Sequence, residues 1–405
     1  MTSPDMTGIS QLSEISKNSI SISMSDDPED YKISDSNKDH KKNMNSADMD
    51  GISEISEISK TNTSITSFSG EPQNVTKLKK QKRKRIILTI LLTIVISILI
   101  ILAYILYTIF SNYRENKILD EYDKKHSTKV EVNGHMMNYK IVGENNNPTI
   151  IVLPGFATFA PVIEFKSLAE TLAENYRVVT VEPFGYGFSD TVDTDRTIDN
   201  VVSELHEFTQ KLGINQYYLM GHSIGGAYSV EMANRYMNET LGFIGLDCSV
   251  PGQEVLKKGF IDSEKDYDNY ILAKKLGFTR IGSLFSKSSV CFAVDRDYKN
   301  MTDEEIEIVR LLAINRGYNK SIQNEKEHIY HDHFEKLKGK KFPESVPVLN
   351  FVNGLDNPEP EQWLQLHIDV ITNRSHSEVI IIKGGHLLHY RYKDKVVNRI
   401  KGWII

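Results

Sequence analysis

One glycine-rich stretch, Gly221-His222-Ser223-Ile224-Gly225-Gly226, constrains this chain more than any other. The residues before it, Gln216-Tyr217-Tyr218-Leu219-Met220, are apolar with strand propensity, and Ala227 to Asn234 has a helical pattern. The spacing predicts a strand, a very tight turn and a helix. A Gly-x-Ser-x-Gly turn of this kind holds its serine at strained backbone angles, with the hydroxyl clear of the sheet. Side chains two positions to either side would clash, and Gly221 and Gly225 remove them. Ordinary glycine-rich loops carry the same letters, so the reading depends on what else the chain supplies.

The 405 residues, 40% of them hydrophobic, suffice for one large domain with appendages. A net charge of -6 does not suggest a nucleic-acid partner, which would favour a basic domain. Cys248 and Cys291 are the only cysteines, which excludes a disulfide scaffold and a cysteine-based zinc site. A single pairing and two free thiols both stay open.

Residues 1–76 are rich in Ser, Asp, Glu, Lys and Asn and are expected to be a disordered tail. Within it Asp5 to Lys17 returns as Asp48 to Lys60, either a duplicated docking or phosphorylation module or low-complexity drift. Residues 77–85 form a basic run. Ile86 to Phe110 is apolar and uncharged, and at about 1.5 Å per residue it exceeds the roughly 30 Å hydrocarbon core. It lies too far from the N-terminus for a cleaved signal peptide. The expectation is one transmembrane helix over 86–110 and a linker over 111–127. By the positive-inside rule the tail is cytoplasmic and the remainder lies on the non-cytoplasmic side.

From residue 128 apolar strands alternate with helices, the pattern of a mostly parallel sheet covered on both faces. Asn133-Gly134 marks a hairpin. Core segments over 128–250 and 346–405 flank an insertion, 251–345, expected to be a helical lid. Thr302 and Glu305 form a capping box for a helix beginning at Asp303.

Over about 128–405 the chain resembles the α/β-hydrolase superfamily. The residues that carry the resemblance are the elbow 221–226, the turn Leu153-Pro154-Gly155-Phe156, the loop Glu182 to Asp190, and Gly384-Gly385-His386. The resemblance implies an α/β-hydrolase fold with Ser223 as nucleophile. The insertion is similar to the caps of epoxide-hydrolase-like and dehalogenase-like members, but those carry Asp at the elbow. His386 is the expected base, and the N–H groups of Phe156 and Ile224 are the expected oxyanion donors. His222 and His389 are read as positional.

The acid is expected at Asp356, about nine residues past Pro347, with Asn357 competing if the turn is counted from Gly354. Asp247, at the end of strand 241–246, is the alternative, and only geometry separates them. The cluster His328, His331, Asp332 and His333 reads as a polar helix rather than a metal site, and Trp363 with His367 as a packed face. No cofactor or metal is expected. The expected activity is membrane-anchored serine hydrolysis of a carboxylic ester, with a small-molecule or lipid acyl substrate. An amidase or peptidase would use the same residues. A non-catalytic receptor or adaptor on a hydrolase scaffold is the alternative from another class.

Overall fold

The computed structural model describes residues 20–24, 72–255, 268–274, 276–285, 300–354 and 360–404. They fall into two units, residues 1–26 with 112–405, and residues 27–111. In chain order the elements are β1 (Ser21–Met24), α1 (Pro72–His126), β2 (Thr128–Val132), β3 (His135–Val142), β4 (Thr149–Leu153), α2 (Pro161–Glu164), α3 (Lys166–Leu172) and β5 (Arg177–Glu182). Next come α4 (Ile198–Lys211), β6 (Tyr217–His222), α5 (Gly225–Arg235), β7 (Thr240–Leu246), α6 (Phe278–Phe285), α7 (Asp303–Asn315) and α8 (Lys320–His328). A π-helical turn (Ile329–His333) leads to α9 (Phe334–Leu337), then β8 (Val348–Asn353), α10 (Pro360–Asp369), β9 (Glu378–Ile382), α11 (Leu388–Arg391) and α12 (Lys393–Trp403).

The strands form one sheet in the order β1-β9-β8-β7-β6-β4-β5-β3-β2. Every pairing from β1 across to β5 is parallel, and only β3 runs the other way, pairing antiparallel with both β5 and β2. Their hairpin turns on Asn133 (φ 49°) and Gly134 (φ 76°), the left-handed pair that such a turn requires. β4 and β8 are buried at every position, as strands covered on both faces must be. One apolar layer packs α4, α5 and α10 against the sheet through residues such as Leu205, Phe208, Tyr228 and Leu364. The opposite layer packs α3 and α12 through Phe165, Leu172, Val396 and Ile400. The capping box at Thr302 and Glu305 forms at the start of α7.

Three expectations need correction. The segment 111–127 is not a linker but the helical end of α1, whose Leu119 is fully buried. Most of residues 1–76, the internal repeat included, lies outside the described residues. Ser21–Met24, however, is a strand, with Ile20 buried and Ile22 packed on the core, so the tail is not structureless throughout. Alternation of Ser and Ile gives this segment the period of a strand with one buried face. Finally, β1 pairs with β9 along Ser21–Met24 and Glu378–Ile381. Backbone hydrogen bonds cannot form across a bilayer, so this pairing puts these residues on the same side as the sheet, against the expected separation of tail and domain.

In the second unit, the aliphatic side chains of α1 from Ile86 to Ile109, with Phe110, are solvent-exposed around the helix, and Tyr104 is half-buried. The hydroxyls of Thr89, Thr93 and Ser97 donate to the carbonyls of Arg85, Thr89 and Thr93, so none needs a partner outside the helix. By length and composition alone, this helix could cross a membrane.

A buried carboxylate beside the sheet makes stability depend on pH. Glu164 accepts from the Ala160 N–H at 2.9 Å and from Tyr390 Oη at 3.3 Å, and burial raises its pKa to about 7. The unfolded chain loses this proton near 4.5 while the folded chain keeps it, so stability falls as pH rises from there to about 7 and then levels off. The change is on the order of 3 kcal/mol. Glu164→Gln is expected to flatten that slope, read as a smaller loss of Tm between acidic and neutral buffer. An unchanged slope would remove Glu164 as its source.

Candidate active site

The elbow is built by close approach. β6 ends at His222 and α5 begins at Gly225, leaving Ser223 at φ 51°, in the left-handed region. A Cβ at Gly221 would stand 2.7 Å from the backbone of Gly225, and one at Gly225 would stand 2.6 Å from the Leu153 carbonyl. Gly226 passes equally close to Cys248, where a Cβ would meet that of the cysteine at 2.5 Å. The glycines therefore let the turn nest between β4 and the end of β7. The turn after β4 lies against the same spot, since a Cβ at Gly155 would come within 3.1 Å of the Ser223 Cβ. This contact brings the Phe156 segment to the serine, while Ile224 stands at the N-terminus of α5.

His386 sits in the turn between β9 and α11. Its Nδ1–H donates to Asp247 Oδ2 at 2.7 Å. Asp247 closes β7 at φ 44°, another left-handed residue that is not glycine. Its other oxygen, Oδ1, accepts from the Asn353 N–H at 3.0 Å and from Trp363 Nε1 at 2.9 Å. Burial alone would raise the Asp247 pKa. The His386 hydrogen bond and charge, with the two other donors, outweigh it and hold the carboxyl below its ordinary value. Asp356 and Asn357 lie outside the described residues. His386 is thus paired with the alternative acid, Asp247. With Nδ1 committed to a carboxylate, Nε2 of His386 carries the free lone pair.

The two flanking histidines are buried and neutral. His222 donates from Nε2 to the His386 carbonyl at 3.3 Å, and its ring centroid lies 4.7 Å from that of His386. Burial drives the His222 pKa well down, with His386 and His389 adding to the shift. His389 stacks on Phe165 at 4.6 Å, and burial lowers it to about 3. Both pack around the His386 turn. No hydrogen bond joins Ser223 Oγ to His386 among those of the described residues; such contacts are often long before substrate binds.

Two site residues escaped the sequence. Trp363 and His367, read as a packed face, do pack on each other with ring centroids 4.5 Å apart, and Trp363 in addition braces Asp247. Trp363 donates to Asp247, and His367 Nε2 stands 3.0 Å from the Cys248 carbonyl next door. Cys248 is a buried thiol whose pKa burial pushes up; Cys291 lies outside the described residues. Nothing in the helical spacing of Trp363 pointed to a carboxylate more than a hundred residues earlier in the chain.

The helices between β7 and β8 reach the site through Glu325 of α8. This buried carboxylate accepts from Tyr186 Oη at 2.9 Å and from Tyr228 Oη, on the elbow helix, at 2.6 Å. Tyr186 Oη in turn accepts from the Ala157 N–H at 3.4 Å, next to Phe156, and Ala157 itself is left-handed at φ 56°. Tyr318 and Ile322 pack against Ala157 and Tyr186, with Phe156 and Phe159 on the rim, giving this side an apolar wall. In the histidine cluster, His328 Nδ1 pairs with Asp332 at 2.6 Å, and buried His333 donates to the Arg196 carbonyl at 2.9 Å.

With the parallel sheet, the elbow and the Asp247–His386 pair in place, comparison with known proteins gives the class. Residues 148–391 match the family model of the alpha/beta hydrolase fold, and the chain belongs to that family. It is 28% identical over 227 residues to the uncharacterized protein YbdG of Bacillus subtilis (strain 168), covering 56% of this chain and 68% of that one. It is 29% identical over 105 residues to the N-formylmaleamate deformylase of Pseudomonas putida, covering 26% of this chain and only 38% of the enzyme. Among solved structures, a bacterial membrane phospholipase A superposes with a TM-score of 0.54 at 15% identity, covering 79% of this chain and 98% of the other. An esterase from Thermogutta terrifontis does so with 0.51 at 16% identity, covering 69% and 98%. At such identities the structures establish likeness of fold alone.

Proposed function

We propose that the chain is a serine hydrolase of carboxylic esters, attached to a membrane through the apolar segment of α1. The observation that carries this is the 2.7 Å contact between His386 Nδ1 and buried Asp247, set beside a serine on a strained turn. Ser223 Oγ attacks the substrate carbonyl carbon as Nε2 of His386 takes its proton. Asp247 keeps Nδ1 protonated and offsets the imidazolium charge. The carbonyl oxygen becomes an oxyanion that accepts from the Ile224 and Phe156 N–H groups. As the intermediate collapses, His386 gives the proton to the leaving alcohol and the acyl group stays on Ser223. Water, deprotonated by His386, then releases the acid. An acyl substrate is supported by the wall of Phe156, Phe159, Tyr318 and Ile322, and by the esterase and phospholipase names among the proteins of like fold. In this reading the insertion carrying α6 to α8 is a lid, held to the elbow helix by Glu325.

A fluorophosphonate probe, which phosphonylates an activated serine, tests the reading. The full chain is expected to label once, and Ser223→Ala is expected not to label. Labelling that persists in Ser223→Ala would overturn the assignment.

A further inference from the structure

The helix α6 is inverted relative to a helix on a water-facing surface. Its polar side chains point into the protein, and its apolar ones point out. Arg280 and Ser283 are buried, whereas Phe278 is 60% exposed, Leu284 61% and Phe285 87%, with Ile281 completing the same face. A surface helix ordinarily buries its apolar stripe. The buried side of α6 is fastened. Arg280 Nη2 reaches Asn112 Oδ1 at 2.5 Å, Glu115 Oε2 at 3.0 Å and Asn315 Oδ1 at 3.1 Å, while Ser283 Oγ accepts from Arg310 Nη1 at 3.0 Å. The helix is therefore held in place with four large apolar side chains facing outward, and an exposed patch of this sort marks a contact surface.

The position of the fastening identifies the contact. Asn112 and Glu115 lie on α1, two and five residues beyond Phe110, where the apolar segment ends. At about 1.5 Å per residue, they sit within roughly 8 Å along the helix from the last apolar turn. That is the depth at which interfacial helices lie, their apolar faces about 5–10 Å into the headgroup and acyl boundary. We propose that α6 is a membrane-contact helix, seated in the bilayer interface. The proposal rests on the reading that α1 attaches the chain to a membrane. It makes the bilayer itself the surface that the lid meets, and it implies that acyl substrate reaches the site from the lipid side.

Lipid quenching tests this on the full chain reconstituted in phosphatidylcholine vesicles doped with doxyl-labelled phosphatidylcholine. In a Cys291→Ser background, Phe285→Cys carries an environment-sensitive dye, with Leu284→Cys as a second reporter and Ile98→Cys as a control inside the apolar segment. The expected result is loss of fluorescence to the doxyl lipid at 285 and 284 as well as at 98, with little loss to aqueous iodide. Quenching at 98 with 285 and 284 open to iodide would overturn the proposal and leave membrane attachment standing. If no position, 98 included, is quenched by lipid, attachment itself fails and the proposal with it. A dye at 285 and 284 shielded from both quenchers would assign the face to protein, such as a second copy of this chain, and would also overturn it.

Discussion

Asp247→Ala is expected to lower kcat on a p-nitrophenyl ester by about 10³–10⁴, with Ser223 and His386 still in place. In the proposed mechanism the carboxylate does two jobs that no other described residue near His386 can take over. It would fix the tautomer that leaves Nε2 free, and it would offset the charge that His386 acquires during attack. Asp247→Asn is expected to fall comparably, because an amide can orient the ring without offsetting charge and can select the wrong tautomer. Asp356→Ala is expected to stay near the wild-type rate. The reverse pattern, with Asp356→Ala crippled and Asp247→Ala active, would return the role to Asp356. Trp363→Phe gives a graded check. It removes one neutral donor to Oδ1 while the Asn353 N–H stays, so its effect should be far smaller than that of Asp247→Ala. Thermal unfolding of each variant separates lost chemistry from lost folding.

Arg196→Met is expected to destabilise the fold strongly. The guanidinium is 1% exposed and donates from Nη1 to both carboxylate oxygens of Glu204, at 2.8 and 2.7 Å. Burial drives the Glu204 carboxyl upward, and Arg196 is the largest force opposing that shift. Without Arg196 the carboxylate is buried with no cation, an arrangement that costs about 3–5 kcal/mol. For a domain of this size that is roughly 10 °C of Tm. The backbone of Arg196 also receives α8 and the π-turn, through Asn324 Oδ1 at 2.6 Å and His333 Nε2 at 2.9 Å, so this part of the insertion should loosen with it. The companion variant Arg196→Met with Glu204→Leu is expected to recover most of the loss, since a buried pair replaced by apolar groups is often nearly neutral. A single variant as stable as the wild type, or a double variant as unstable as the single, would refute the assignment of the loss to an unpaired Glu204.

Local signals were legible in the sequence. The apolar runs that became β4, β6, β7, β8 and β9 and the glycines of the elbow all act over a few residues, and the structure has each near its expected place. Which carboxylate pairs with His386 was not legible, because in the sequence Asp247 and Asp356 both come shortly after an apolar strand-like run, and reach to His386 is a matter of space. The N–H of Asn353, at the end of β8, donates to Asp247 rather than toward the region of Asp356 expected from the sequence count. The bracing by Trp363 and the clamp from Arg280 to Asn112 join residues more than a hundred positions apart, where periodicity carries no information. The end of α1 was misread for a related reason. Its charged residues look like a solvated linker, yet Glu115 and Asp120 are paired with Arg280 and Arg316 of the insertion.

The seating of β1 on β9 has a topological consequence. A helix uniformly apolar from Ile86 to Phe110 delivers its two ends to opposite faces of any bilayer it crosses. The sheet follows one end of α1 and β1 precedes the other, so strand pairing and crossing are mutually exclusive within a single chain. Insertion must pull Ile20–Met24 out of the sheet and leave the outer edge of β9 bare. A bare edge is a template for any strand of matching period.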